Sequence, residues 1–121
     1  MIARLVALAI FLFAALPASA LELVMVEEDG CFYCARWKKD VGGVYPKTPE
    51  AGVAPLRMVD IRDVMDEDLT LDRTVFYTPT FLLVDEGREI ARIEGYPGET
   101  LFWWALQTML KENTNYEVPS E

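Results

Sequence analysis

Residues 21–43 read LELVMVEEDGCFYCARWKKDVGG, and the change of period inside this stretch sets the architecture. Leu21 to Val26 alternates once and then runs continuously apolar, with β-branched Val24 and Val26, the pattern of a strand covered on both faces. Glu27, Glu28, Asp29 and Gly30 interrupt it. From Cys31 the apolar spacing becomes helical, with Trp37 and Val41 four apart on one face and Gly42-Gly43 as a stop. Cys31 and Cys34 therefore fall where a central strand hands over to a helix.

Working toward the C-terminus, YPKTPEAGVAP holds three prolines and one glycine in eleven residues, a loop that delivers the chain to a second strand over Leu56 to Ile61. Together these pieces form a βαβ unit. The charged stretch from Arg62 to Arg73 is expected to be an exposed loop with a short helix around Asp66 to Asp72. Thr80 to Val84, the acidic turn Asp85-Glu86-Gly87 and Arg88 to Glu94 read as a hairpin. Gly95-Tyr96-Pro97-Gly98 breaks the chain again before helical spacing resumes from Glu99 to Asn113 through Phe102, Ala105, Leu106, Met109 and Leu110. Trp104 falls on the wetter face of that helix, and residues 114–121 are expected to fray.

Toward the N-terminus, residues 1–20 place Arg4 before an apolar run from Leu5 to Leu16, followed by Pro17 and the small residues Ala18-Ser19-Ala20. This is the pattern of a cleavable secretory signal. As a helix the apolar run would reach about 18 Å, short of a ~30 Å hydrocarbon layer, so a stable membrane anchor is the weaker alternative. The expected mature chain begins at Leu21 and is exported to the periplasm as a small acidic domain.

Composition narrows the chemistry. The 121 residues leave room for one domain, and a formal charge of -9 would repel phosphate backbones, which excludes nucleic acid as a natural partner. There is no His, so imidazole bases, Ser-His and Cys-His nucleophile pairs and His-containing metal sites are absent. With two Cys in the chain, a four-thiolate metal site cannot form either. The acidic cluster Asp60, Asp63, Asp66, Glu67 and Asp68 lacks the spacing and central Gly of a calcium loop and reads as a solvated face.

Two thiols one helical turn apart can bond to each other, and the first lies near the unpaired N–H groups at the helix start. Partial positive charge there stabilises a thiolate, the form that attacks a disulfide. Once Cys31 has captured a partner as a mixed disulfide, Cys34 can displace it and close an internal bridge, a two-electron exchange without a cofactor. A static structural disulfide is the plainer alternative, but so short a bridge constrains few residues.

At these residues the chain resembles the thioredoxin superfamily: strand, Gly30-Cys31-Phe32-Tyr33-Cys34 at a helix start, second strand, Thr78-Pro79 opening a third strand about 45 residues on, hairpin, last helix. The resemblance spans residues 21–113. It implies an α/β thioredoxin fold, with a four-stranded mixed sheet of order 2-1-3-4 flanked by helices, and thiol-disulfide oxidoreductase activity. It also implies Cys31 as nucleophile, Cys34 as resolving thiol, Pro79 as a cis-proline facing the sulfurs, and Thr78 offering its backbone to an extended substrate. Phe32, Tyr33, Gly95 and Tyr96 are candidates for the surface that receives a partner. The exported C-x-x-C, the Gly95–Gly98 stretch and the aromatic helix after it resemble more narrowly the periplasmic thioredoxin of bacterial sulfur-oxidation (Sox) systems. That resemblance implies a sulfur-carrier protein as partner and a membrane thiol transporter as electron source. No added dimerisation segment is present, which points to a monomer rather than a dedicated isomerase.

The departures from the family concern direction. Gly30 stands where a Trp usually precedes the first Cys, Phe32-Tyr33 where Gly-Pro is familiar, and Met25 where thioredoxins often bury a carboxylate. Water, Glu27 or Glu28 could deprotonate Cys34, and the sequence does not choose among them. One carboxylate ~8 Å from a sulfur opposes its thiolate by roughly 0.5 to 2 kcal/mol before screening, and Arg36, Lys38 and Lys39 partly offset this. A less stabilised thiolate means a lower potential and a better electron donor. A thiol oxidant, a cytochrome c maturation thioredoxin and a redox-inert module binding through Phe32, Tyr33 and Tyr96 are the competing functions.

Overall fold

The computed structural model describes residues 20–120, so the expected signal segment lies outside the described residues save Ala20. Strand β1 (Leu21–Glu27) is followed by helix α1 (Phe32–Trp37), which continues as a π-helical turn over Lys38–Gly42. Then come helix α2 (Pro49–Val53), strands β2 (Leu56–Asp60), β3 (Thr80–Asp85) and β4 (Arg88–Glu94), and helix α3 (Glu99–Asn113). The sheet order is β2-β1-β3-β4, with β1 parallel to β2 and antiparallel to β3, and β3 antiparallel to β4.

Alternation along the two inner strands splits the core in two. Leu23, Met25, Phe81 and Leu83 face a layer that holds Cys34, Trp37 and Val41 together with Phe102, Leu106 and Leu110 of α3. Val24, Val26, Leu82 and Val84 face the opposite way. No helix covers that second face among the described residues. Val64 and Val75 pack there instead, with Ile61, Leu69 and Leu71 beside them. The helix expected over Asp66 to Asp72 is absent. Asp66, Glu67 and Asp68 place like charges side by side, and Thr70 spends its backbone on the hairpin, donating to Gly87 O (2.7 Å) and accepting from Glu89 N (2.9 Å).

The turn of that hairpin demands its glycine. Glu86 and Gly87 have φ of 50° and 79°, and a Cβ on Gly87 would lie 3.1 Å from the Asp68 carbonyl oxygen.

The stretch 45–55 is more ordered than expected. Thr48 caps α2 by accepting from Ala51 N at 3.3 Å, and Pro49 opens the helix, where a missing N–H costs nothing.

Within the segment expected to fray, one residue is anchored. Tyr116 is buried, and its hydroxyl donates to Glu50 Oε1 at 2.7 Å, beside Gln107 Nε2 at 3.0 Å. Burial alone would favour the neutral carboxyl of Glu50, but these hydrogen bonds outweigh it and hold its pKa below the ordinary value. A lowered folded pKa adds stability that is present above the unfolded value and lost as pH falls through the folded one. Tyr116→Phe is therefore expected to cost about 1–3 kcal/mol at neutral pH. In urea titrations at stepped pH, the gap to wild type should narrow as the medium turns acid. A gap that is constant down to acid unfolding contradicts this account.

The candidate redox site

Register brings the C-terminal ends of β1, β2 and β4 to the same end of the sheet as the start of β3: Glu27 pairs with Asp60, Val26 with Thr80, and Thr80 with Glu94. The loops holding Gly30-Cys31, Thr78-Pro79 and Gly95-Tyr96 consequently converge there. Gly30 adopts a φ of 78°, which lets the chain turn sharply from β1 into α1.

Cys31 occupies the N-cap position of α1 and is disulfide-bonded to Cys34, with Cα atoms 5.2 Å apart. The Cys34 backbone N–H donates to Cys31 Sγ at 3.1 Å, a contact that favours negative charge on this sulfur when the bridge is open. Exposure differs between the two sulfurs: Cys31 is half-buried, while Cys34 is 2% exposed among Met25, Trp37 and Phe81 of the core. One sulfur is reachable from solvent and the other is not.

The Thr78–Pro79 peptide is cis, Pro79 is buried, and its carbonyl oxygen accepts from Gly95 N at 2.8 Å, tying the β3 entry to the β4 exit. Thr78 is half-buried, and the Thr80 hydroxyl donates to Tyr77 O at 2.7 Å. Phe32 and Tyr33 are 68% and 53% exposed and meet edge to face, with centroids 5.3 Å apart.

Tyr96 stands on the loop between β4 and α3. It is buried rather than offered to solvent, packs edge to face on Phe102 and donates its hydroxyl to Asp40 Oδ2 at 2.8 Å. Burial and the neighbouring Asp40 carboxylate push its pKa up to about 12. Its contribution is a wall: with Tyr33, Arg36, Pro97 and Gly98 it lines a cleft beside α1. Phe76 and Tyr77, 76% and 62% exposed on the loop entering Pro79, add two aromatic rings that the sequence reasoning missed. The available signal was two adjacent aromatics, directly before Thr-Pro, belonging to no apolar period.

Several charges flanking the site are paired. Glu27 forms an ion pair with Lys38, and Asp60 binds Arg62 through Nε at 2.9 Å and the backbone N–H at 2.8 Å. Those contacts with Arg62 bring the Asp60 carboxyl down to about 2. Arg62 also approaches Asp29 at 3.8 Å. The described residues contain no cluster of three or more His, Cys, Asp or Glu placed to hold a metal ion.

A strand-to-helix dithiol with one shielded sulfur, set on a 2-1-3-4 sheet, is the arrangement of a thiol-disulfide oxidoreductase. The chain belongs to the thioredoxin-like family, whose domain model matches residues 15–110. Among solved structures it is similar to the periplasmic thioredoxin SoxS from Paracoccus pantotrophus in its reduced form, at 42% identity and a TM-score of 0.73, over 76% of this chain and 97% of that one. Two more distant thioredoxins share the fold. That of Fasciola hepatica is 20% identical (TM-score 0.54, covering 74% of this chain and 81% of that one). That of Malassezia sympodialis is 16% identical (TM-score 0.57, covering 75% and 78%). None of the curated proteins matches the sequence.

Proposed function

We propose that the mature chain works in the periplasm as a reductase, opening a disulfide or a blocked cysteine on a partner protein and receiving electrons from a membrane thiol transporter. The observation that carries the exchange chemistry is the asymmetry of the dithiol, and the carboxylates of Glu27, Glu28 and Asp29 beside it favour the reducing direction. Cys31 is reachable and receives a backbone N–H, whereas Cys34 is 2% exposed and positioned to resolve whatever Cys31 captures. Support for the compartment comes from the secretory pattern of residues 1–20 and from the likeness to a protein described as periplasmic. The same likeness favours a Sox-type sulfur carrier as the partner.

Phe32, Tyr33, Phe76 and Tyr77 surround the reachable sulfur with exposed aromatic surface, suited to an extended apolar segment on either side of a partner's cysteine. Thr78 would offer it backbone hydrogen bonds, with Pro79 and Gly95 forming the floor.

Equilibration of Cys31 and Cys34 in glutathione buffers tests the direction. A reductase is expected nearer the thioredoxin value of about -270 mV, and a potential near about -120 mV, that of a strong oxidant, overturns the assignment.

A further inference from the structure

Most arginines of this acid-rich chain are tied down. Arg57, Arg62, Arg73 and Arg92 each hold a carboxylate within 2.9 Å, and Lys38 holds Glu27. Two cations on the helical run that carries the dithiol are not. Among the described residues Arg36 meets one carboxylate, that of Asp40, 3.7 Å from its Nε and outside hydrogen-bond range. That carboxylate is already engaged, since its Oδ2 accepts the Tyr96 hydroxyl at 2.8 Å. Lys39 has no carboxylate within ion-pair distance among the described residues. Lys47, Arg88 and Lys111 share that state but stand on other elements.

Phe32, Ala35, Arg36 and Lys39 follow the i, i+3, i+4, i+7 spacing of one helical face, opposite the face that buries Cys34, Trp37 and Val41. All four are exposed, and with Asp40 they line a hollow of about 420 Å³. Phe32 adjoins Cys31, so the hollow begins beside the reachable sulfur. On the other side of that sulfur, Glu28 and Asp29 are exposed. Cys31 therefore stands where an acidic loop meets a basic helix face. Arg36 follows it by five positions, about 7.5 Å along a helix axis. An extended segment advances about 3.3 Å per residue, so a side chain two or three residues from a partner's cysteine arrives at that level.

We propose that this face of α1 is a specificity subsite for an acidic side chain two or three residues from the partner's cysteine. Arg36 is the determining residue and Lys39 adds to the attraction. Asp40 is a positioning residue, lying on the Nε side of Arg36 and leaving its terminal nitrogens to the partner. This deepens the reductase reading above and rests on it. The charge of -9 repels acidic proteins as a whole. The attraction is therefore local, acting at contact and fading with added salt.

The test is single-turnover reduction, by the reduced mature protein, of the oxidised homodimers of a capped peptide with one cysteine. The peptides carry Glu, Gln or Lys two residues before that cysteine or two residues after it, and released thiol is followed by chromatography. In one of the two placements the efficiency should fall about tenfold from Glu to Lys at low salt, with Gln between. The difference should lie in the half-saturating concentration and not in the limiting rate. Ratios are compared within each variant, so a general loss of activity does not enter them. Arg36→Gln should bring the Glu-to-Lys ratio below about threefold, and Arg36→Glu should invert it. Arg36→Lys should keep part of it, and Lys39→Gln and Asp40→Asn should each lower it less than Arg36→Gln does. High salt should erase most of the wild-type ratio. A wild-type ratio near one in both placements, or one favouring lysine, overturns the proposal, as does an unchanged ratio in Arg36→Gln. A wild-type protein that reduces none of the peptides overturns the reductase reading itself, so the two failures are distinguishable.

Discussion

Replacing Cys31 by Ser is expected to slow disulfide reduction by about 10³-fold or more, because a hydroxyl does not ionise near neutral pH and is no substitute for a thiolate. The fold should survive the change. Serine is among the best N-cap residues, and its oxygen can take the Cys34 N–H that Cys31 Sγ receives at 3.1 Å. The contrasting variant is Cys34→Ser. It keeps the reachable sulfur and loses the resolving one, so a covalent adduct with a disulfide substrate should accumulate instead of turning over. Rates against a model disulfide, with mass spectrometry of the trapped species, read both. A Cys31→Ser protein retaining more than about a tenth of wild-type activity would remove this sulfur from the chemistry.

Trp37→Ala should destabilise the protein by about 3–5 kcal/mol, the usual cost of emptying a large aromatic site and a large part of the ~5–15 kcal/mol that holds a domain together. Trp37 is fully buried, its ring centroid 5.3 Å from that of Phe81 and 5.7 Å from that of Phe102. It thereby joins the helix bearing the cysteines to both the sheet and α3. Its indole N–H has no acceptor among the described residues. Trp37→Phe removes that unpaired donor while keeping most of the ring contacts, so it should cost under about 1.5 kcal/mol. Urea midpoints of the reduced proteins separate the two, provided the slope is unchanged. Equal losses in both variants would show that ring packing is not what anchors this helix.

Much of the fold was legible because local and global signals agree. The apolar run ending at Val26 is a doubly covered strand, and Asp85-Glu86-Gly87 supplies the positive φ that its hairpin requires. The two cysteines were legible for the same reason, since a strand and a helix bracket them. The failures occurred where tertiary contacts decide. Three prolines made 45–55 look irregular, although Thr48 and Pro49 together form a good helix start. Charge density at 66–68 hid the wide spacing of Val64, Leu69, Leu71 and Val75, which fits no period because these residues anchor a strap to the back of the sheet. The partner of Tyr96 could not be read either, because only the fold brings Asp40 to its hydroxyl.

That strap joins two tasks on opposite sides of one segment. Its inward residues, with the buried Arg92–Glu89 pair that binds the backbone at Arg73 and Asp72, fix where the segment runs. The rings of Phe76 and Tyr77, just beyond, are exposed. Exchanging those two rings would leave the anchorage intact, so on the proposed reading recognition is free to diverge while folding stays under constraint.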